Sequence, residues 1–159
     1  MALIKSSNPP RIIVIIFACL FVVGLIGKTI AVRLYSVATV RMGGQEFSAR
    51  VASSGAQREK GLSGTDSLGK NEAMVFKFDS ARQYVFWMKD MNYALDIIWV
   101  QNGKIIDIAP RVPPGIGLQD VDLPKYAPRL PASRVVEVVA GTADRLGIKI
   151  GDAVQIVEK

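Results

Sequence analysis

The sequence contains no histidine, and one cysteine in 159 residues. Without histidine there is no Ser-His-Asp or Cys-His machinery and no imidazole ligand for a metal. The one thiol, Cys19, lies inside an apolar run near the N-terminus, so the rest of the chain has no disulfide framework, thiolate cluster or cysteine nucleophile. Gly61 and Gly64 are not followed by the Lys-Ser/Thr ending of a phosphate-binding loop. Gln119-Asp120-Val121-Asp122 lacks the spaced oxygen ligands and the glycine of an EF-hand. No metal and no cofactor is therefore expected, and no catalytic residue is assigned. Acidic residues are absent from the first 41 positions, which hold Lys5, Arg11, Lys28, Arg33 and Arg41. Of the 20 basic residues, 15 remain for the rest of the chain, beside all 14 acidic ones. The body is thus nearly neutral despite a net charge of +6. It carries no basic excess of the kind that nucleic acid attracts.

The basic residues flank an uncharged apolar run, residues 12–27. With Lys28 snorkelling and residues 29–32 added, the span reaches about 20 residues, enough to cross a bilayer as a helix. Lys5 and Arg11 precede it as they would in a signal anchor or a signal peptide, and small residues offer cleavage after Ala31 or Ala38. Residues 1–35 are therefore read as a membrane anchor or signal segment with its linker, and residues 36–159 as a single β-rich globular domain. The domain is expected outside the cytoplasm, periplasmic or at the cell surface, held by the N-terminal helix. Secretion after cleavage is the alternative.

In the body, short apolar runs alternate with turn signals. Gly43-Gly44 joins two strand-like runs, residues 37–42 and 45–52. Ser54 and Gln57 have capping-box spacing for a helix of under two turns, with Gly61 at its left-handed end. Residues 73–78 form a strand. Residues 84–88 and 95–100 read as the two central strands of a hairpin, continuing through Asn102-Gly103 into residues 105–108 as a meander. Six of the eight prolines fall between 110 and 131, in a long loop of the kind that is functional or disordered. Residues 134–139 and 153–157 are further strands, and residues 142–146 make one helical turn closed by Gly147. The predicted class is mainly β with two short helices, a small barrel-like or sandwich domain after an N-terminal transmembrane or signal segment.

The ordered series Gly61-Leu62, residues 74–78, Phe86-Trp87-Met88-Lys89 and Leu95-Asp96-Ile97-Ile98 resembles the uncharacterised family called domain of unknown function 192. The likeness continues through Val136-Glu137-Val138, Ala140-Gly141 and Gly147-Ile148 to Gly151-Asp152. It implies a compact β-rich domain, commonly secreted or membrane-anchored, with no established activity. The chain departs from the family's pattern at Ser63, where Met is usual, and at Thr65 or Asp66, where Arg is usual. Ala73 also stands where Gly is usual.

The candidate binding residues are Trp87, Lys89, Asp96 and Glu137. If Lys89 pairs with Ala94, Trp87 lies opposite Asp96 and Lys89 lies diagonally beside it. Asp96 is then either a semi-buried carboxylate for a polar ligand or general acid, or a structural group held by turn amides or Lys89. Glu137 interrupts a valine-rich strand. It could pair with Asp96 for acid–base work, or sit exposed on an edge. Two functions follow: a ligand-binding or accessory module outside the membrane, with a small ligand, glycan or protein as partner, or a small carboxylate-dependent hydrolase. For the module the groove is expected between the central hairpin and the proline-rich loop; the hydrolase would use Asp96, with Glu137 or Lys89 beside it.

Overall fold

Positive φ at Gly43 (56°) and Gly44 (74°) lets β1 (Ser36–Met42) turn directly into β2 (Gln45–Ala52), with Met42 opposite Gln45. A β-carbon at Gly43 would stand 2.8 Å from Ile148 Cγ1, so packing as well as φ calls for glycine there. The fold comes from a computed structural model that describes residues 35–159, a single compact unit. The apolar run at 12–27 and its expected anchor lie outside the described residues. Among the described residues, no helix is long and apolar enough to cross a membrane.

After β2 the capping box forms as spaced. Ser54 Oγ accepts from Gln57 N (3.2 Å), and Gln57 Oε1 accepts from Ser54 N (3.0 Å), starting α1 (Gly55–Lys60). Gly61 ends the helix with φ 46° and ψ −129°, which is not the left-handed helical conformation. Its N–H still donates to Gln57 O (2.8 Å), and a β-carbon there would come within 3.2 Å of the Phe76 ring. The crossover carries the chain into β3 (Glu72–Arg82), parallel to β2 and beside it.

Asn102-Gly103, both at positive φ, joins β4 (Leu95–Gln101) to β5 (Lys104–Val112). β6 (Ala132–Val139) then enters between β3 and β4. α2 (Thr142–Leu146) closes at Gly147 (φ 63°), and β7 (Gln155–Glu158) pairs with β1. The order across the seven-stranded sheet is β5-β4-β6-β3-β2-β1-β7, antiparallel except for β2 and β3. The fold is mainly β with two short helices, as expected. The two edges approach at an isolated bridge between Lys104 and Ala153, and the sheet is not closed.

The central hairpin is a correction. β4 is interior, but both of its edges are taken, by β5 and β6, which leaves residues 84–88 no ladder to join. They cross the sheet face as an extended segment with one bridge, Phe86 to Tyr126. Met88 is buried and Tyr84 and Phe86 half-buried, while Val85 and Trp87 face solvent. The apolar alternation was real; the surface it packs on is a sheet face rather than a neighbouring strand.

Each face of the sheet carries its own core. Val136, Val138, Ile98 and Val100 pack on one face with Ala143 and Ile148 from the α2 region. Val135, Ile97, Trp99, Met74 and Phe76 pack on the other, under Leu62, Met88 and Met91. Strands buried on both faces show no clean in-and-out pattern, so their side-chain register is weakly written in sequence.

Candidate functional site

β6 places Glu137 between Met74 of β3 and Ile97 of β4, in the middle of the second face. The residue is only 6 % exposed. No hydrogen bond or ion pair from the described residues reaches its carboxyl. Burial pushes its pKa up to about 8, so the group is mainly protonated at neutral pH. The expected edge position is wrong, because β6 has β3 on one side and β4 on the other.

Above Glu137 lies a cavity of about 340 Å3, at the small end of ligand sites. One wall is aromatic. Phe78 stacks on Tyr84 with ring centres 3.6 Å apart, and Phe86 meets Phe76 edge-on at 5.0 Å and Trp99 at 6.2 Å. The end of α1, with Gly61, Leu62 and Ser63, also lines the cavity. Arg58, at that end, donates to Ser53 O (2.5 Å) and Lys77 O (3.0 Å) and covers the Phe78 ring at 5.1 Å. Trp87, 46 % exposed, lines the cavity together with Glu137.

The other two candidates lie elsewhere. Asp96 is fully buried on the opposite face, across from Val138, so its proposed register with Trp87 and its pairing with Glu137 are both wrong. Its Oδ1 accepts from Arg111 N (2.8 Å) and Gly141 N (3.1 Å), and its Oδ2 from Ala143 N (2.8 Å). The carboxylate thus fills the start of α2, where Gly141 has no side chain for capping, and secures the irregular stretch of β5 opposite it. Of the two readings of Asp96, this is the structural one, with backbone amides rather than Lys89 as partners. Lys89 pairs with Asp120 and stands 5.8 Å from the Trp87 ring, beside a separate cavity lined by the proline-rich loop. That loop does not line the Glu137 cavity.

Sequence reasoning missed the aromatic wall and a second tether. Phe76 and Phe78 share a face by strand alternation, a signal present in the Phe-x-Phe spacing. Asp107 accepts from Arg129 N (2.8 Å), Nε (3.1 Å) and Nη2 (3.0 Å), fixing the far end of the proline-rich loop. Burial raises the Asp107 pKa, but the Arg129 bonds outweigh it and hold the carboxyl below its ordinary value.

Residues 38–156 match the model of the family DUF192, described as an uncharacterized ACR. The chain belongs to that family. Two solved structures resemble this DUF192 domain. A candidate transcription regulator from Sinorhizobium meliloti 1021 is 27 % identical with a TM-score of 0.69, over 77 % of this chain and 95 % of that one. A protein of unknown function from Novosphingobium aromaticivorans DSM 12444 is 32 % identical with a TM-score of 0.65, over 75 % and 83 %. No curated protein matches the chain. Two of the departures from the family pattern have local roles in this DUF192 member. Ser63 Oγ donates to Lys89 O (2.8 Å), and Thr65 Oγ1 bonds the Tyr93 hydroxyl (2.6 Å).

Proposed function

We propose that this chain is a membrane-anchored, extracytoplasmic module that binds a small ligand in the cavity over Glu137. The observation that carries the reading is a buried carboxyl that meets no hydrogen-bond or ion-pair partner among the described residues, at an aromatic-walled cavity. Burying such a group costs stability unless something else compensates it, and binding sites are where that cost is tolerated. The hydrolase alternative has less support. The carboxylate it relies on, Asp96, lies on the other face with both oxygens bonded to amides.

A panel of fragment-sized aromatic compounds, followed by NMR on the full chain, tests the cavity. Binders should shift the signals of Phe86, Trp87 and the neighbours of Glu137. Shifts confined to Lys89, Asp120 and the proline-rich loop would move the site to the second cavity and defeat the proposal.

Support for location comes from the apolar run at 12–27 behind Lys5 and Arg11. Protease added to spheroplasts should digest the domain. Protection under conditions that digest a periplasmic control would place it inside.

A further inference from the structure

The chemistry of the cavity narrows its ligand. We propose that it binds a small primary amine, with the ammonium group on Glu137 and an apolar body against Phe78, Tyr84, Phe86 and Trp87. The inference rests on the reading of this cavity as the binding site.

Three features point the same way. First, a carboxylate is an acceptor with no donor of its own, and an ammonium is a donor with no acceptor. Glu137 meets no donor among the described residues, so an N–H group delivered by a ligand's ammonium would supply the missing donor. Second, aromatic ring faces attract cations, and five aromatic side chains line this cavity. Third, an anionic ligand lacks a counterpart near Glu137. Arg58 is turned to two backbone carbonyls and a ring, and the exposed Glu59 and Lys60 beside it offset one another.

The charged and titratable groups around Glu137 are few. α1 contributes Arg58, Glu59 and Lys60, the crossing segment Tyr84, and the following loop Tyr93, which lies within electrostatic reach; farther along the same face stand Glu72 of β3 and, opposite Met74, Arg50 of β2. β3 and β4 place the uncharged Met74 and Ile97 directly beside it. The empty site therefore keeps its carboxyl protonated through neutral pH. An arriving ammonium ionises it, so each amine bound as a cation releases one proton to the buffer.

Calorimetry of the full chain in detergent tests this with 2-phenylethylamine and its neutral counterpart 2-phenylethanol, in buffers of different ionisation enthalpy. Amine affinity should rise about tenfold per pH unit between about pH 6 and about pH 7.5, with nearly one proton released, then level off above about pH 8. The alcohol should show no such rise. Glu137→Gln should lose at least about tenfold in amine affinity and all of the proton release, while still binding the alcohol. Tyr84→Ala, at the aromatic wall, should weaken both probes. If both probes bind alike without proton release, or if Glu137→Gln leaves amine affinity unchanged, the amine inference fails and the cavity remains a binding site. If neither probe binds at about 10 mM, a level at which even a weak millimolar site would fill, the amine inference and the cavity reading fail together.

Discussion

Glu137→Gln should stabilise the protein, and by an amount that grows with pH. In the unfolded chain the carboxyl ionises near its ordinary value of 4.5; in the fold, burial pushes this to about 8. The folded state therefore holds its proton more tightly. Stability contributed by the protonated group is fully present below the lower value and is lost as pH rises through the upper one. The loss runs at about 1.4 kcal/mol per pH unit, for a total of roughly 3–5 kcal/mol by about pH 8. Glutamine has nearly the same shape and cannot ionise. Urea denaturation of the two proteins should give similar stabilities near about pH 5 and a lead of about 3–5 kcal/mol for the variant near about pH 8. Parallel stability–pH curves would show that Glu137 is solvated or paired in solution and would remove the physical basis of the site.

Asp96→Asn should act in the opposite direction. The two carboxylate oxygens serve three amides, two on Oδ1 and one on Oδ2. An asparagine that keeps its oxygen at the first position turns its NH2 against Ala143 N–H, setting donor against donor. The expected loss is about 2–4 kcal/mol, since a buried amide without an acceptor costs about 1–3 kcal/mol. Asp96→Ala leaves all three amides unmet. It should lose on the order of 5 kcal/mol, a large share of the roughly 5–15 kcal/mol that holds a domain together. Hydrogen exchange should quicken first at Arg111, Gly141 and Ala143. An Asn variant within about 0.5 kcal/mol of the parent, the range of an ordinary surface change, would mean that these bonds are not what positions α2.

The two carboxylates look alike in sequence, each a lone acid in an apolar strand, yet their environments are opposite. What separates them is the partner across space. Asp96 meets the start of a helix some 45 residues away. Glu137 meets aromatic rings brought in by β3 and by the segment at 84–88. Features set by local backbone chemistry were legible: the Gly43-Gly44 and Asn102-Gly103 turns, the Ser54 capping box and the Gly147 stop each depend on a few consecutive residues. Pairings that depend on distant strands were not. Nothing in the local pattern at 84–88 says that β4 has already filled both its edges, and nothing in β6 says that it lies between β3 and β4 rather than at a rim. The candidate site was half legible for the same reason: Trp87 and Glu137 share a cavity, whereas Lys89 and Asp96 belong to separate tethers.

The pairing of β1 with β7 determines how the fold answers to force. Ala38 lies opposite Glu158, and Lys159 N donates to Val37 O (3.0 Å), so residues 35 and 159 leave the ladder at the same end. Tension between those two points runs along the hydrogen bonds, which in an antiparallel pair lie perpendicular to the strands. The bonds then open in series, one rung at a time, instead of sharing the load as they would under shear. Pulled from these two points, the domain yields like a zipper, with its shortest strand, β7, coming away first and the double-faced core around β6 still intact behind it.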